Sequence, residues 1–460
     1  MSIERGYFVP HPPLIVPEVG KGQEKTIQKT IDAYEEIAKE IAKLKPDTII
    51  ISSPHSTLYA DYFHISSQNF AIGNLSGFGA KDVSFEVEYD EEFIDLIHEY
   101  ANKNNFPTGT LGQKDQSLDH GTMIPLYFIN KYYQSYKLIR ISPSGLPLIR
   151  HYNIGRMINS IVPDDKKVIW IASGDLSHKL IKDGPYGLAK EGPMFDEKVT
   201  GIIKTTEFDN IFRLKPKFTR KAAECGLGSL TMLCGCFDGY NVESRLLSYE
   251  GPFGVGYSVA SFKKLDKNIQ REFSMLYSVR ELQAMEITRS LEDEYVRLAR
   301  QSLEYYIKNN KTLPFPNDLS DDLLDNKAGV FVSLHKGDDL RGCIGTISPT
   351  TNSIANEIIQ NAISAGTKDY RFNPVQEAEL PKIKYSVDVL KQAERIESKE
   401  QLDIHKYGVI VRSGYKSGLL LPNIDGVDSV DEQIEIAKRK AGINKDEEYT
   451  LERFEVIRHH

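Results

Sequence analysis

The chain has little cysteine: four residues in 460, Cys225, Cys234, Cys236 and Cys343. That is too few for a disulfide framework, and no Cys-x-x-Cys pair suggests a zinc knuckle. No apolar run approaches the roughly 18 residues that a membrane span requires. The start, Met1-Ser2-Ile3-Glu4-Arg5, leads straight into strand-like Gly6-Tyr7-Phe8-Val9, without the charged, apolar and small-residue regions of a signal peptide. These absences predict a cytoplasmic, reducing location and no membrane. Basic charge is not in excess either, with 57 Lys and Arg against 65 Asp and Glu and a formal balance of −8. No basic stripe of the kind that holds nucleic acid is present, so nucleic acid is not the expected partner. There is no internal repeat and no low-complexity tract. What remains is ordinary globular composition, 40% hydrophobic and 27% charged, on a chain long enough for two or three domains.

The first half alternates helix and strand signals. Ile27, Ile31, Tyr34, Ala38, Ile41 and Leu44 recur at helical spacing, and Pro46 stops the helix. Thr48-Ile49-Ile50-Ile51, Leu138-Ile139-Arg140-Ile141 and Val168-Ile169-Trp170-Ile171-Ala172 are short β-branched runs of the sort found in strands buried on both faces. The pattern predicts an α/β fold, a mixed and largely parallel central sheet with flanking helices, closed by strands around 245–250 and 256–262. We therefore place a first domain at 1–262. Residues 263–285, charged and poor in periodic apolar positions, read as a linker. A smaller α+β domain follows at 286–460, with a helix marked by Tyr295, Leu298, Ala299, Ser302, Leu303 and Tyr306. Hairpins are expected around Lys336-Gly337-Asp338-Asp339 and between Tyr407–Val411 and Leu419–Leu421, and a last helix around 430–441.

Chemistry concentrates on four histidines in turn-rich frames: Pro10-His11-Pro12-Pro13, Ser53-Pro54-His55, Asp119-His120-Gly121 and Gly174-Asp175-Leu176-Ser177-His178. His11, His55 and His178 come just after strand-like runs, where open α/β sheets place their ligands. Taken singly, each has an ordinary structural reading. Their repetition, with Glu250 at another strand end, points to a mononuclear metal centre. A non-haem Fe(II) site needs two neutral imidazoles and one carboxylate, with positions left open. Asp175 could orient a ring or cap a following helix, and His178 could take a proton from a bound phenol. Glu250 could equally face water. Cys234 and Cys236, two apart on a helix, do not share a face and read as core.

These frames, with Glu224-Cys225-Gly226, resemble the class III extradiol ring-cleavage dioxygenases of the LigB type over roughly residues 3–262. The resemblance implies Fe(II), with Zn or Cu as alternatives, held by His11, His55 and Glu250. It further implies His178 as acid/base, His120 near the substrate, and a catechol-type substrate. The related Memo branch carries a cysteine where the carboxylate stands, and Glu250 places this chain on the dioxygenase side.

Residues 286–457 resemble the AMMECR1 family. The segments that carry this are Leu340-Arg341-Gly342-Cys343-Ile344-Gly345-Thr346, Ala365–Pro374 and Gly418-Leu419-Leu420-Leu421-Pro422, with Asp369-Tyr370-Arg371-Phe372 where family members often read Asp-Pro-Arg-Phe. Cys343 beside Arg341 forms a second candidate site, because a neighbouring cation lowers a thiol pKa. The alternative is a small buried residue in a tight hairpin. His335 and His405 are the candidate bases. The fusion resembles proteins of the system named for AMMECR1, Memo and radical-SAM components, which implies a radical-SAM pathway partner. It leaves room for a homo-oligomer, for a metal-dependent redox or modification role without ring cleavage, and for a non-catalytic scaffold.

Overall fold

The computed structural model describes residues 2–460 except 115, 116, 338, 425 and 445. Met1 and Asp338, named above in the amino-terminal and hairpin readings, lie outside the described residues. The chain divides into two compact units, Met1–Val279 and Arg280–His460.

The first unit is built on a six-stranded sheet of β1 (Arg5–Val9), β2 (Thr48–Ser52), β3 (Lys137–Ile141), β4 (Val168–Ser173), β5 (Tyr240–Glu250) and β6 (Tyr257–Lys267), in the order β3-β2-β4-β1-β6-β5. The pairs β3–β2, β2–β4 and β4–β1 are parallel, while β1–β6 and β6–β5 are antiparallel. Every residue of β2 and β4 is buried, which accounts for their unbroken apolar runs: both faces of the sheet are covered by helices. The helix α1 (Gln28–Leu44) buries Ala33, Tyr34, Ile37, Ala38 and Ile41 and ends at Lys45 in a left-handed conformation, ahead of Pro46. The helices α2 (His120–Ile129), α3 (Leu148–Ser160) and α4 (Leu227–Gly235) complete the cover used below. Cys234 and Cys236 are core residues, as expected.

The 263–285 segment differs from the linker reading. Strand β6 continues to Lys267, and a helix α5 runs Phe273–Ser290. Phe273 and Ser274 are buried, with Phe273 part of the first unit's core, and Arg271 lies over the Phe273 ring while donating to the Tyr240 carbonyl. Only a few positions of this charged stretch are packed, so the apolar period was too sparse to register.

The second unit has two four-stranded sheets. One contains β7 (Val330–Lys336), β8 (Asp339–Gly345), β9 (Ile383–Leu390) and a strand at Val456–His459; the other contains Glu394–Ile396, Gly408–Ser413, Lys416–Leu420 and Thr450–Phe454. Helices α6 (Glu294–Asn309), α7 (Ile354–Thr367) and α8 (Val430–Ala441) pack on them. The α+β reading, both hairpins and the last helix are found at or near their expected positions.

Candidate metal centre

The parallel strands place their carboxyl ends on one side of the sheet, and three of the four histidines stand there. His11 lies two residues past β1, His55 three past β2 and His178 five past β4. His120 opens α2, whose N-cap is Asp119, with its carboxylate accepting from the Thr122 amide. That carboxylate also accepts from the Ser53 hydroxyl and pairs with buried Arg140, which ties the His55 and His120 loops together.

The ring nitrogens His11 Nε2 and His55 Nε2 face each other at 3.0 Å. Cys225 Sγ is 3.6 Å from His11 Nε2, and an Asp175 carboxylate oxygen is 4.0 Å from it. The His120 ring lies 4.1 Å from that of His55 and 5.2 Å from that of His11, centroid to centroid. Two sets of donors converge within 4.8 Å, His11/His55/Cys225 and Asp175/His178/Cys225.

The tautomer of His11 follows from its neighbours. The Ser173 hydroxyl donates its one proton to the Gly121 carbonyl at 2.6 Å, so at 2.9 Å from His11 Nδ1 it must accept. Nδ1 therefore carries the proton, and Nε2 presents a lone pair to the centre, the protonation a metal ligand requires. Close backbone approach makes this arrangement fit. A Cβ on Gly121 would lie 2.4 Å from Ser53 Oγ, and one on Gly174 would lie 2.1 Å from the Gly226 Cα. Glycine at both positions brings the Ser53, Gly174 and Cys225 loops into contact.

Burial governs the charge states. His11 is 2% exposed, and burial, then the neighbouring His55, His120 and His178, hold it well below the ordinary imidazole range. Burial and His55 lower His120 to about 4, and the same two causes lower His178. Burial raises Asp175 to about 7 and pushes the Cys225 thiol up. Four neutral imidazoles, a thiol and a carboxyl, desolvated except for the exposed His55 and without a cationic partner of their own among the described residues, suit a cation. His55 is on the solvent side, so the centre is open at one face.

Glu250 does not join it. Its carboxylate accepts from the backbone amide and the hydroxyl of Thr30 at 2.9 and 2.8 Å, near the start of α1. There it satisfies a free amide of the helix's first turn and complements the dipole. The ligand set expected from the resemblance is thus corrected. Among the described residues no two histidines and a carboxylate converge, and Cys225 is the group that stands with His11 and His55 where a third donor could. The signal was present in Glu224-Cys225-Gly226, but only tertiary contacts place that segment beside His11: the close approach of Gly174 to Gly226 and the Asp175 carbonyl that accepts from the Gly226 amide at 2.9 Å. Asp175 caps no helix, its carboxylate instead accepting from the His11 amide at 2.9 Å.

Cys343 is differently placed. Arg341 pairs with Glu379 at 2.9 Å, not with the thiol. The neighbours of Cys343 are the Ser333 hydroxyl, 3.3 Å from Sγ, and the Asp369 carboxylate, which accepts from its backbone amide. Burial pushes its thiol up, which favours the reading of a small buried residue over that of a thiolate-prone nucleophile. His405 bonds Asn423, and no hydrogen bond joins either His335 or His405 to Cys343 among the described residues.

Residues 5–260 match the family described as the catalytic LigB subunit of aromatic ring-opening dioxygenase, more than half of the chain. The chain belongs to the LigB family. Residues 296–459 of the same chain match AMMECR1, giving a LigB domain followed by an AMMECR1 domain. Protein CA_C1420 of Clostridium acetobutylicum is 42% identical over 468 residues, covering 100% of this chain and 99% of that protein. A Thermotoga maritima protein is 46% identical over 170 residues, 36% of this chain and 98% of its own length. The crystal structure of an uncharacterized protein, PH0010 from Pyrococcus horikoshii, is 32% identical and covers 36% of this chain and 88% of that one, with a TM-score of 0.34. No helix among the described residues is long and apolar enough to cross a membrane.

Proposed function

We propose that the LigB domain is a metal-dependent oxidoreductase acting on a small organic substrate, with His11, His55 and Cys225 as the ligands of one transition-metal ion. The observation that carries this reading is the convergence of the His11 and His55 ring nitrogens at 3.0 Å, with Cys225 Sγ 3.6 Å from His11. A thiolate in the set favours iron, copper or zinc, and a redox-active ion held there supplies electron transfer and Lewis acidity. Ser173 keeps the His11 lone pair inward. His178 has a buried Nε2 with no partner among the described residues and receives a proton from a substrate hydroxyl. Desolvation of these rings excludes the competing charge of protonated imidazole from the centre. The fusion supports a radical-SAM protein as pathway partner, and the AMMECR1 domain is assigned no reaction.

Extradiol cleavage of a catechol is the second reading, favoured by the position of His178 and by membership of the family. Dioxygen uptake by iron- or copper-loaded protein, with a panel of phenols and catechols, tests both. Substrate oxidation without ring opening supports the first; stoichiometric ring-opened product supports the second. Absence of turnover, together with no metal retained in anoxic preparations, overturns both.

A further inference from the structure

The metal donors leave open what meets an organic ligand, and three aromatic side chains around them bear on it. Tyr257 opens β6. The residue before it, Gly256, accepts from the Leu176 amide and donates to the Ser177 carbonyl, both at 2.8 Å. This brings the Tyr257 backbone alongside the Gly174–His178 loop. Tyr257 is 3% exposed as a residue, but its hydroxyl, which makes no hydrogen bond among the described residues, is not fully enclosed. Tyr7, Tyr34 and Tyr152, equally buried, donate to Glu40, the Pro10 carbonyl and Asp238 respectively. An open hydroxyl of this kind is free to donate to or accept from a polar group of a ligand.

The other two aromatics do the opposite and face outward. Tyr186 is 57% exposed, its ring 5.2 Å from that of His178, in a loop closed by the Leu180–Leu188 bridge. Phe78 is 42% exposed, its ring 5.5 Å from that of His120, in the turn between the strands Phe70–Leu75 and Ala80–Glu88. Each of the two non-ligand histidines of the centre therefore carries an aromatic ring that nothing in the unit fully covers. Large exposed aromatics are unfavourable in water and are common where a ligand is to be stacked.

We infer that Phe78 and Tyr186 are the walls that receive a flat organic ligand and that the Tyr257 hydroxyl hydrogen-bonds its polar end. The inference rests on the proposed reading of the centre as a site for an organic substrate. It assigns three ligand-contacting residues from three separate segments, none of them a metal donor.

Binding of 4-nitrocatechol, followed by equilibrium dialysis on the full chain with and without loaded iron, tests it alongside metal content. Tyr257→Phe, which keeps the ring, is expected to weaken binding roughly five- to tenfold, the worth of one hydrogen bond. Tyr186→Ala and Phe78→Ala should each weaken it roughly fivefold, with affinity recovered in Tyr186→Phe and Phe78→Tyr. Metal per chain should stay at the wild-type value in all five. Wild-type metal content with unchanged affinity in Tyr257→Phe and Tyr186→Ala overturns the inference and leaves the proposed function standing. A wild type that retains no metal but loses the probe in Tyr257→Phe overturns the proposed function and supports the inference. No binding by either metal-loaded or metal-free wild type overturns the inference.

Discussion

Cys225, in the bend before α4, and Cys343, within β8 next to Gly342, are both half-buried thiols raised by desolvation, but their surroundings differ in kind. Around Cys225 the polar groups lack opposite charges among the described residues: the His11 and His55 ring nitrogens face each other, Asp175 is raised to about 7, and a His178 ring nitrogen has no partner there. Around Cys343 the charges are matched within the domain. Arg371 grips Asp369 with two nitrogens, and Arg341 grips Glu379 likewise, so hydrogen bonding lowers both carboxylates to about 2. The first arrangement is short of a cation, whereas the second has already neutralised itself. Charge deficit, more than the presence of a thiol, separates a metal centre from a structural network.

The largest effect that would break this contrast concerns metal. Full-length protein should take up metal at the LigB domain, and His11→Ala or His55→Ala should lower its affinity by about 100-fold or more, corresponding to ~3 kcal/mol. Glu250→Gln and Cys343→Ala should leave it unchanged, as read by isothermal titration and elemental analysis. Metal lost in Glu250→Gln but kept in Cys225→Ala would return the carboxylate to the ligand set.

Next in size is a pH effect that separates a structural histidine from those of the centre. His151 Nε2 accepts from the Ser144 amide and Nδ1 donates to the Pro147 carbonyl, so protonation would set two N–H groups against each other. Burial lowers this residue from 6.5 to about 4. The unfolded chain then binds the proton first, and stability present above pH 6.5 is lost as pH falls toward 4, by about 3 kcal/mol. Guanidinium unfolding followed by the single tryptophan, Trp170 in buried β4, reports the first unit. The excess of wild type over His151→Gln in unfolding free energy should shrink by that amount between pH 7.5 and 4, and a constant difference would refute the assignment.

The smallest effect sharpens the other side. Glu379→Gln should cost the second unit about 1 kcal/mol, a value discounted for partial solvent screening. Because Glu379 is lowered, its contribution is complete above pH 4.5 and fades as pH falls toward 2. Acid unfolding followed by circular dichroism checks it: the variant and the wild type should converge at low pH.

Much of the fold is written in local periodicity. The apolar runs of β2, β3 and β4, the helical spacing of α1 and α6, and the turn chemistry of the second unit's hairpins are each set by neighbours a few residues away, and each was found where its pattern placed it. The stretch after 262 was not legible, since a charged strand end and a helix that buries only its first residues carry no clear period. Of the centre, the four histidines could be read because each sits at the end of an element whose own sequence declares it.

The third donor could not. Glu250 and Cys225 are both chemically suitable and both far from His11 in the chain, so nothing local ranks them. The choice was made by long-range packing: the α1 amino terminus takes Glu250 to satisfy its amides, and the contact between Gly174 and Gly226 carries Cys225 to His11. The sequence by itself determined the elements, the two-domain order and the histidines at the strand ends, because those depend on local pattern. Only the tertiary structure decided which candidate third donor faces them, since that depends on which distant polar groups already have partners.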